Sequence, residues 1–341
     1  MKITNVTATV LRLPQISSAA DGTQDDLIIT VETDEGITGY GEVDTAPYVG
    51  KAVVDAYMSH GTCYGLREVV VGSDPFDYEQ IWNDMWAKTY YYGRSGPVMH
   101  VMSGIDMAIW DIMGKAVGKP VHKLLGGSYA DKVRAYASAL MPDTPDEVKK
   151  MTEKYVSLGY TAIKFGWGPL GYDVHYDIEL IKTARKAAGD KVDVMIDIGK
   201  RYRLKEAIYV AKALEQLNIY WLEEPLPAED YIGYKRLTES TTMRIATGEE
   251  ESGRLAFARL INETHIDVVQ PDMSRCGGLT EAKKIAMMTA DANILCVPHA
   301  FKTGVLNPFI QKDGFVEVPQ TPGLGIELNP EVILKYGVNI K

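Results

Sequence analysis

The segment IYWLEEP (219–225) ends an apolar run on two adjacent carboxylates, Glu223 and Glu224. Asp197 closes the run VDVMID and Glu249 follows RIATG, so Asp197, Glu223 and Glu249 recur at two intervals of 26 residues. Side chains alternate across a strand, so Val192, Val194 and Ile196 share one face of VDVMID while Met195 and Asp197 share the other. If these runs are neighbouring parallel strands of a barrel, three inward carboxylates meet at one mouth. Like charges so close repel strongly unless a cation sits between them. An all-oxygen donor set without Cys or His suits a hard divalent ion such as Mg2+ and weighs against zinc. Helix N-caps or solvated surface acids are the competing explanation for any one of the three, and their common register favours the metal set. Glu224 turns away from Glu223 by the same period, toward solvent, a helix or the layer behind the ligands.

Two further residues continue the register. VVQPDMSRCGG places Asp272 just past one strand, and LCVPHAF places His299 just past the next. A buried Asp bonded to an imidazole fixes its tautomer and raises its basicity, which suits general acid or base work. The remaining histidines, His60, His100, His122, His175 and His265, have no comparable context. Across the mouth, TAIKFGWG carries Lys164, which beside a divalent ion could serve as a base or bind a substrate carboxylate; a snorkelling surface lysine is the alternative.

The elements that must hold these residues are legible as alternation. From Val133 onward, short apolar runs read as strands: VRAYAS (133–138), TAIKFG (161–166), VDVMID (192–197), YWLE (220–223), RIATG (244–248), IDVVQ (266–270) and ILCVP (294–298). Amphipathic helices separate them, for instance KEAIYVAKALEQL with its stripe Ala207, Val210, Ala211, Leu214 and Leu217. Seven such units predict an α/β fold, a modified (β/α)8 barrel of the TIM type, over residues 129–320. A doubly wound sheet is the alternative, but no GxGxxG follows the first strand. Residues 1–128 read as an α+β capping domain, with strand-like Ile3 to Leu13 and Leu27 to Thr33 and a helix in MHVMSGIDMAIWDIMGKAVGKP (99–120). Residues 321–341 form a C-terminal segment expected to pack back on that domain. After Pro298 no clear strand and helix pair follows. The eighth unit therefore closes irregularly or lacks a disordered segment between about Leu306 and Asn307; the second is favoured, because an open position exposes two strand edges.

Composition bounds the function. The chain has 341 residues, 46% hydrophobic and 24% charged, with a net charge of −10. That acidic balance leaves no footprint for nucleic acid or anionic lipid. Cys63, Cys276 and Cys296 are an odd, scattered set, against a disulfide framework or zinc-thiolate site. No apolar run approaches the roughly 18 residues of a membrane span, so a cytoplasmic protein is expected.

The order Lys164, Asp197, Glu223 in WLEEP, Glu249 in TGEE, Asp272 in QPDMSRCGG and His299 resembles the enolase superfamily, in its mandelate racemase subgroup. SGIDMAIWDI followed by GKPVHKLLGG is similar to the end of that family's capping domain. The resemblance implies an essential Mg2+ on Asp197, Glu223 and Glu249, holding the carboxylate of a small-molecule substrate. It implies proton abstraction next to that carboxylate through an enediolate, with His299 and Asp272 as acid/base pair. Capping loops, here roughly Ser17 to Asp26 and Thr45 to Tyr48, would select substrate, with Asp21 and Tyr48 from the cap and Lys164 and Lys200 from the barrel as contacts. Tyr90 to Tyr92 and Arg94 help there or simply pack. Barrels of this kind often associate, so a homo-oligomer is expected. The chain departs from the subgroup in carrying Lys164, Phe165 and Gly166 where Lys-x-Lys is common, Ile198 to Lys200 where Ala-Asn is common, and no visible eighth-strand glutamate. With one lysine, dehydration of an aldonate or aldarate to a 2-keto-3-deoxy acid is favoured over racemisation, with His299 assisting departure of the β-hydroxyl. Cycloisomerisation or racemisation of a related carboxylate, and a non-catalytic sugar-acid-binding barrel, are the alternatives.

Overall fold

The structure, a computed structural model, describes residues 1–18, 22–302 and 311–338. The N-terminal unit opens with an antiparallel meander of β1 (Ile3–Arg12), β2 (Asp25–Thr33) and β3 (Thr38–Val43). Ile3, Val6, Ala8 and Val10 of β1 turn into the core beside Leu27, Ile29 and Val31 of β2. Helices α1 (Pro47–Asp55), α2 (Leu66–Val70), α3 (Tyr78–Lys88), α4 (Pro97–Ala116) and α5 (Val121–Leu124) complete this unit. In α4 the apolar positions 101, 105, 108, 109 and 112 are all buried, but so is nearly everything from Val98 to Gly114. It is a central helix covered on all sides rather than an amphipathic one.

Burying α4 takes polar residues along, and each meets a partner. Ser103 Oγ accepts the Gly277 N–H at 2.9 Å, while Asp106 accepts the Thr280 N–H at 3.0 Å and its hydroxyl at 2.6 Å. These bonds join the cap to the second unit. Burial pushes the Asp106 carboxyl up to about 7 despite those donors. The folded chain therefore holds a proton there that the unfolded chain releases near pH 4, so this site weakens folding progressively as pH rises from about 4 to 7. Asp106→Asn is expected to narrow, or reverse, its stability deficit against the parent protein between pH 5 and pH 8, measured by urea unfolding midpoints. A gap that stays constant with pH would contradict the burial of a neutral acid.

The second unit carries seven parallel strands, in spatial as in chain order: β5 (Ala137–Leu140), β6 (Ala162–Gly166), β7 (Asp193–Asp197), β8 (Trp221–Glu223), β9 (Ile245–Thr247), β10 (Val268–Val269) and β11 (Leu295–Cys296). Helices α6 (Pro145–Ser157), α7 (Val174–Ala188), α8 (Leu204–Glu215), α9 (Tyr231–Thr238), α10 (Gly253–Thr264) and α11 (Gly278–Asp291) alternate with them. Val194 and Ile196 pack outward with Ile181 and Val210 of the helices, while Ala162, Met195, Trp221, Ala246 and Val268 form a separate inner cluster. This is the phase that alternation in VDVMID predicts.

VRAYAS is not one strand. It divides into β4 (Lys132–Arg134), followed by β5, and β4 pairs antiparallel with a late hairpin of β12 (Gln311–Lys312) and β13 (Phe315–Glu317). Among the described residues no strand joins β11 to β5, and the expected break near Leu306 and Asn307 lies outside them. The chain then returns to the cap: α12 (Pro330–Tyr336) precedes Val338, whose N–H donates to Val10 O at 2.8 Å. No helix among the described residues is long and apolar enough to cross a membrane.

Candidate active site

Parallel pairing sets Asp197 of β7 directly beside Glu223 of β8, and Glu249 stands two residues beyond β9. One carboxylate oxygen from each of Asp197, Glu223 and Glu249 lies within 4.8 Å of the other two, and all three residues are buried. Two metal–oxygen bonds of roughly 2.1 Å span most of that distance, so the donors fit a single hard divalent ion. Their electrostatics point the same way: burial and the neighbouring Glu223 charge push Asp197 up to about 7. Asp197 is oriented by the Gly199 N–H on Oδ1 at 2.9 Å and the Trp167 indole N–H on Oδ2 at 3.1 Å. Glu223 Oε2 accepts the indole N–H of Trp221 at 2.8 Å.

The next inward position after Lys164 on β6 is Gly166. A Cβ there would lie 2.8 Å from Asp197 Cβ, so the missing side chain makes room for the carboxylate. Lys164 is itself 5% exposed and forms an ion pair with Glu223 Oε1, with its ammonium 5.7 Å from the Tyr136 ring centroid. Burial opposes the ammonium, but Glu223 outweighs it and holds the lysine above its ordinary pKa.

On the other side of the mouth, Asp272 and His299 form a bridge between neighbouring chain segments, with His299 Nδ1 2.7 Å from Asp272 Oδ2. The Ser274 N–H and hydroxyl both donate to Asp272 Oδ1, at 2.7 and 2.5 Å, and fix the carboxylate. The outer ring nitrogen, Nε2, lies 3.2 Å from Glu249 Oε2. Burial lowers the imidazole pKa, but Asp272 and Glu249 together outweigh that effect and raise it.

Lys164, Asp197, Glu223, Glu249, Asp272 and His299 thus come together in space. Lys200 lines the same cleft but its ammonium pairs with Glu250. Tyr48, in α1, is 43% exposed and is not among the residues lining the cleft; Asp21 lies outside the described residues. Glu224 does not meet solvent: it is 1% exposed, its Oε1 accepts from the Thr247 hydroxyl and, at 3.3 Å, the Gly248 N–H. Burial and Glu249 push its carboxyl up to about 8. Arg275 and Asp44 are site residues that motif reading misses. Arg275 Nε donates to Asp44 Oδ2 at 3.0 Å and Nη1 to the Glu249 carbonyl at 3.2 Å, tying cap to mouth. SRCGG does contain the signal, an arginine three residues past Asp272, but not its partner.

Comparison with known proteins agrees with this geometry. Residues 2–126 match the mandelate racemase / muconate lactonizing enzyme N-terminal domain, and residues 146–308 match the enolase C-terminal domain-like family. An L-rhamnonate dehydratase of Saccharopolyspora erythraea is 30% identical, across 91% of this chain and 84% of its own. The crystal structure of the 3,6-anhydro-D-galactonate cycloisomerase from Zobellia galactanivorans superposes with a TM-score of 0.89 at 30% identity, covering 99% of this chain and 100% of that one. A racemase from Streptomyces coelicolor A3(2), solved with bound magnesium, superposes with a TM-score of 0.86 at 27% identity, over 98% and 100% of the two chains. With both domains matched and the carboxylate triad in place, the chain belongs to the enolase superfamily, in its mandelate racemase and muconate lactonizing enzyme group.

Proposed function

We propose that this protein is a Mg2+-dependent lyase that dehydrates a sugar acid, a small-molecule carboxylate, to its 2-keto-3-deoxy product. The observation that carries the reading is the position of His299 Nε2. Nε2 stands 3.2 Å from Glu249 Oε2 while Nδ1 lies 2.7 Å from Asp272 Oδ2, so a carboxylate-supported imidazole borders the triad. A carboxylate substrate held at that triad brings its α carbon toward this ring. Asp197, Glu223 and Glu249 would hold the ion, which when bound supplies charge neutralisation for the substrate carboxylate.

The steps left to the protein are proton transfers. With Nδ1–H donated to Asp272, Nε2 is the free base and takes the C2 proton. The C–H electron pair is drawn into the substrate carboxylate, and returns to form the C2–C3 double bond as the C3–O bond breaks. The imidazolium returns its proton to the departing hydroxyl, which leaves as water, and the enol rearranges to the 2-keto acid. Lys164, paired with Glu223 beneath the mouth, stays an ammonium and offsets negative charge developing on the substrate carboxylate.

Cycloisomerisation is the second reading, favoured by the end-to-end similarity to the anhydrogalactonate cycloisomerase. Incubating a panel of aldonates, lactones and anhydro acids with the Mg2+-loaded protein, and trapping 2-keto-3-deoxy products with semicarbazide, separates the two. Keto acid formation that stops with EDTA and resumes with added Mg2+ is the expected result. Ring opening without an α-keto product would favour cycloisomerisation, and binding without turnover would leave a sugar-acid-binding barrel.

A further inference from the structure

We infer that Asp44 is a specificity-determining residue that restricts the site to acids carrying one carboxylate, aldonates and their anhydro forms, and turns dicarboxylate aldarates away. The inference rests on the sugar-acid reading above and narrows it. An aldarate placed with one carboxylate at the triad must put the other in the rest of the cleft, where a desolvated anion needs a cation.

The cleft has cations, but they are taken. Five lysine and arginine side chains line it among the described residues: Arg134, Lys164, Lys200, Arg275 and Lys302. Lys164 sits beneath the triad against Glu223 and serves the carboxylate held there, Lys200 pairs with Glu250, and Arg134, at the β4 end, with Asp193 at 2.7 Å. Arg275 and Lys302 face the part of the cleft beyond His299, and Asp44 lies between them. Its Oδ2 accepts from Arg275 Nε at 3.0 Å and its Oδ1 stands 3.8 Å from Lys302 Nζ. Lys302 is held further by Asp25, at 3.6 Å from Oδ1 and 3.1 Å from the carbonyl. Arg275 is also 3.6 Å from Glu249 Oε1. His100, on the same wall, adds no charge near neutral pH, because burial and the adjacent Arg275 hold its ring down to about 4.

Cap and barrel therefore meet over an ion cluster whose positive members are already neutralised. A second substrate carboxylate would have to displace Asp44 or sit beside it, and like-charge juxtaposition there opposes binding.

The test compares an aldonate and an aldarate of the same carbon count and configuration on the Mg2+-loaded protein. Turnover and equilibrium binding by calorimetry are both measured, so the preference is read even where an acid binds without reacting. The expected preference for the aldonate is about 100-fold or more. Asp44→Asn keeps the shape, releases Arg275 and Lys302, and is expected to improve aldarate binding by about 10-fold, an effect that shrinks as salt is raised. Adding Lys302→Met should remove part of that gain. Asp44→Ser gives a second reading if the amide packs poorly. Equal use of both acids by the parent protein overturns the inference, as does an Asp44→Asn variant that loses both acids in parallel. Turnover of both acids without discrimination sinks the inference while sparing the sugar-acid reading; failure to bind either sinks both.

Discussion

His299→Asn is expected to lower kcat by about 1,000-fold on the substrate that the screen identifies, within the 10²- to 10⁴-fold range of general acid–base contributions. The protein should still fold. Asparagine fits the space, and the buried Asp272 keeps the Ser274 N–H and hydroxyl and lies 4.0 Å from Arg275. Only the group that carries the proton is lost. Nε2 also faces Glu249, so the removed ring changes the surroundings of one metal ligand, and Mg2+ affinity must be measured separately by calorimetry. A kcat loss with Mg2+ affinity and Tm nearly unchanged assigns the effect to proton transfer. Asp272→Asn should give a smaller loss, because the imidazole survives without its tautomer fixed. Unchanged turnover in His299→Asn would defeat the role assigned to the ring.

What sequence reading reaches here follows from which interactions are local. Period-two alternation makes the inward phase of VDVMID legible, and the repeat of βα units carries that phase to Glu223, Glu249, Asp272 and His299. Strand ends are harder to read. VRAYAS has the composition of one strand, yet its first residues leave the barrel to pair with Phe315–Glu317, a partner no local pattern announces. Glu224 turns from Glu223 as alternation requires, but whether it reaches water depends on α-layer packing, and Thr247 and Gly248 enclose it. Asp44 and Arg275 are 231 positions apart, and their pairing exists only because the cap docks on the barrel. The site's reacting residues come from one repeating architecture, while the residues that shape it come from contacts between units.

Glu223→Gln and Glu224→Gln separate the two members of the doublet. Glu223 supplies a triad oxygen and also the carboxylate that pairs the buried Lys164. Its amide weakens the donor set, and Mg2+ affinity should fall beyond the roughly 10- to 100-fold typical of losing an outer partner. Without metal the same change strands an ammonium in the barrel, and breaking a buried pair costs about 3–5 kcal/mol, so the apo variant should melt well below the parent. Asp197, whose charge already favours the Lys164 ammonium, recovers part of that loss. Glu224 is a different case: Oε1 accepts from Thr247 and Gly248, and Oε2 meets no hydrogen-bond partner among the described residues, so glutamine can keep the accepting oxygen. Mg2+ affinity in Glu224→Gln should stay within about 10-fold of the parent, with stability nearly unchanged at pH 7, where a carboxyl pushed up to about 8 is already mostly neutral. Calorimetric Mg2+ titrations and apo unfolding curves of both variants decide the matter. If Glu224→Gln loses the metal while Glu223→Gln retains it, the strand phase that places Asp197, Glu223 and Glu249 at one point is wrong, and with it the whole metal centre.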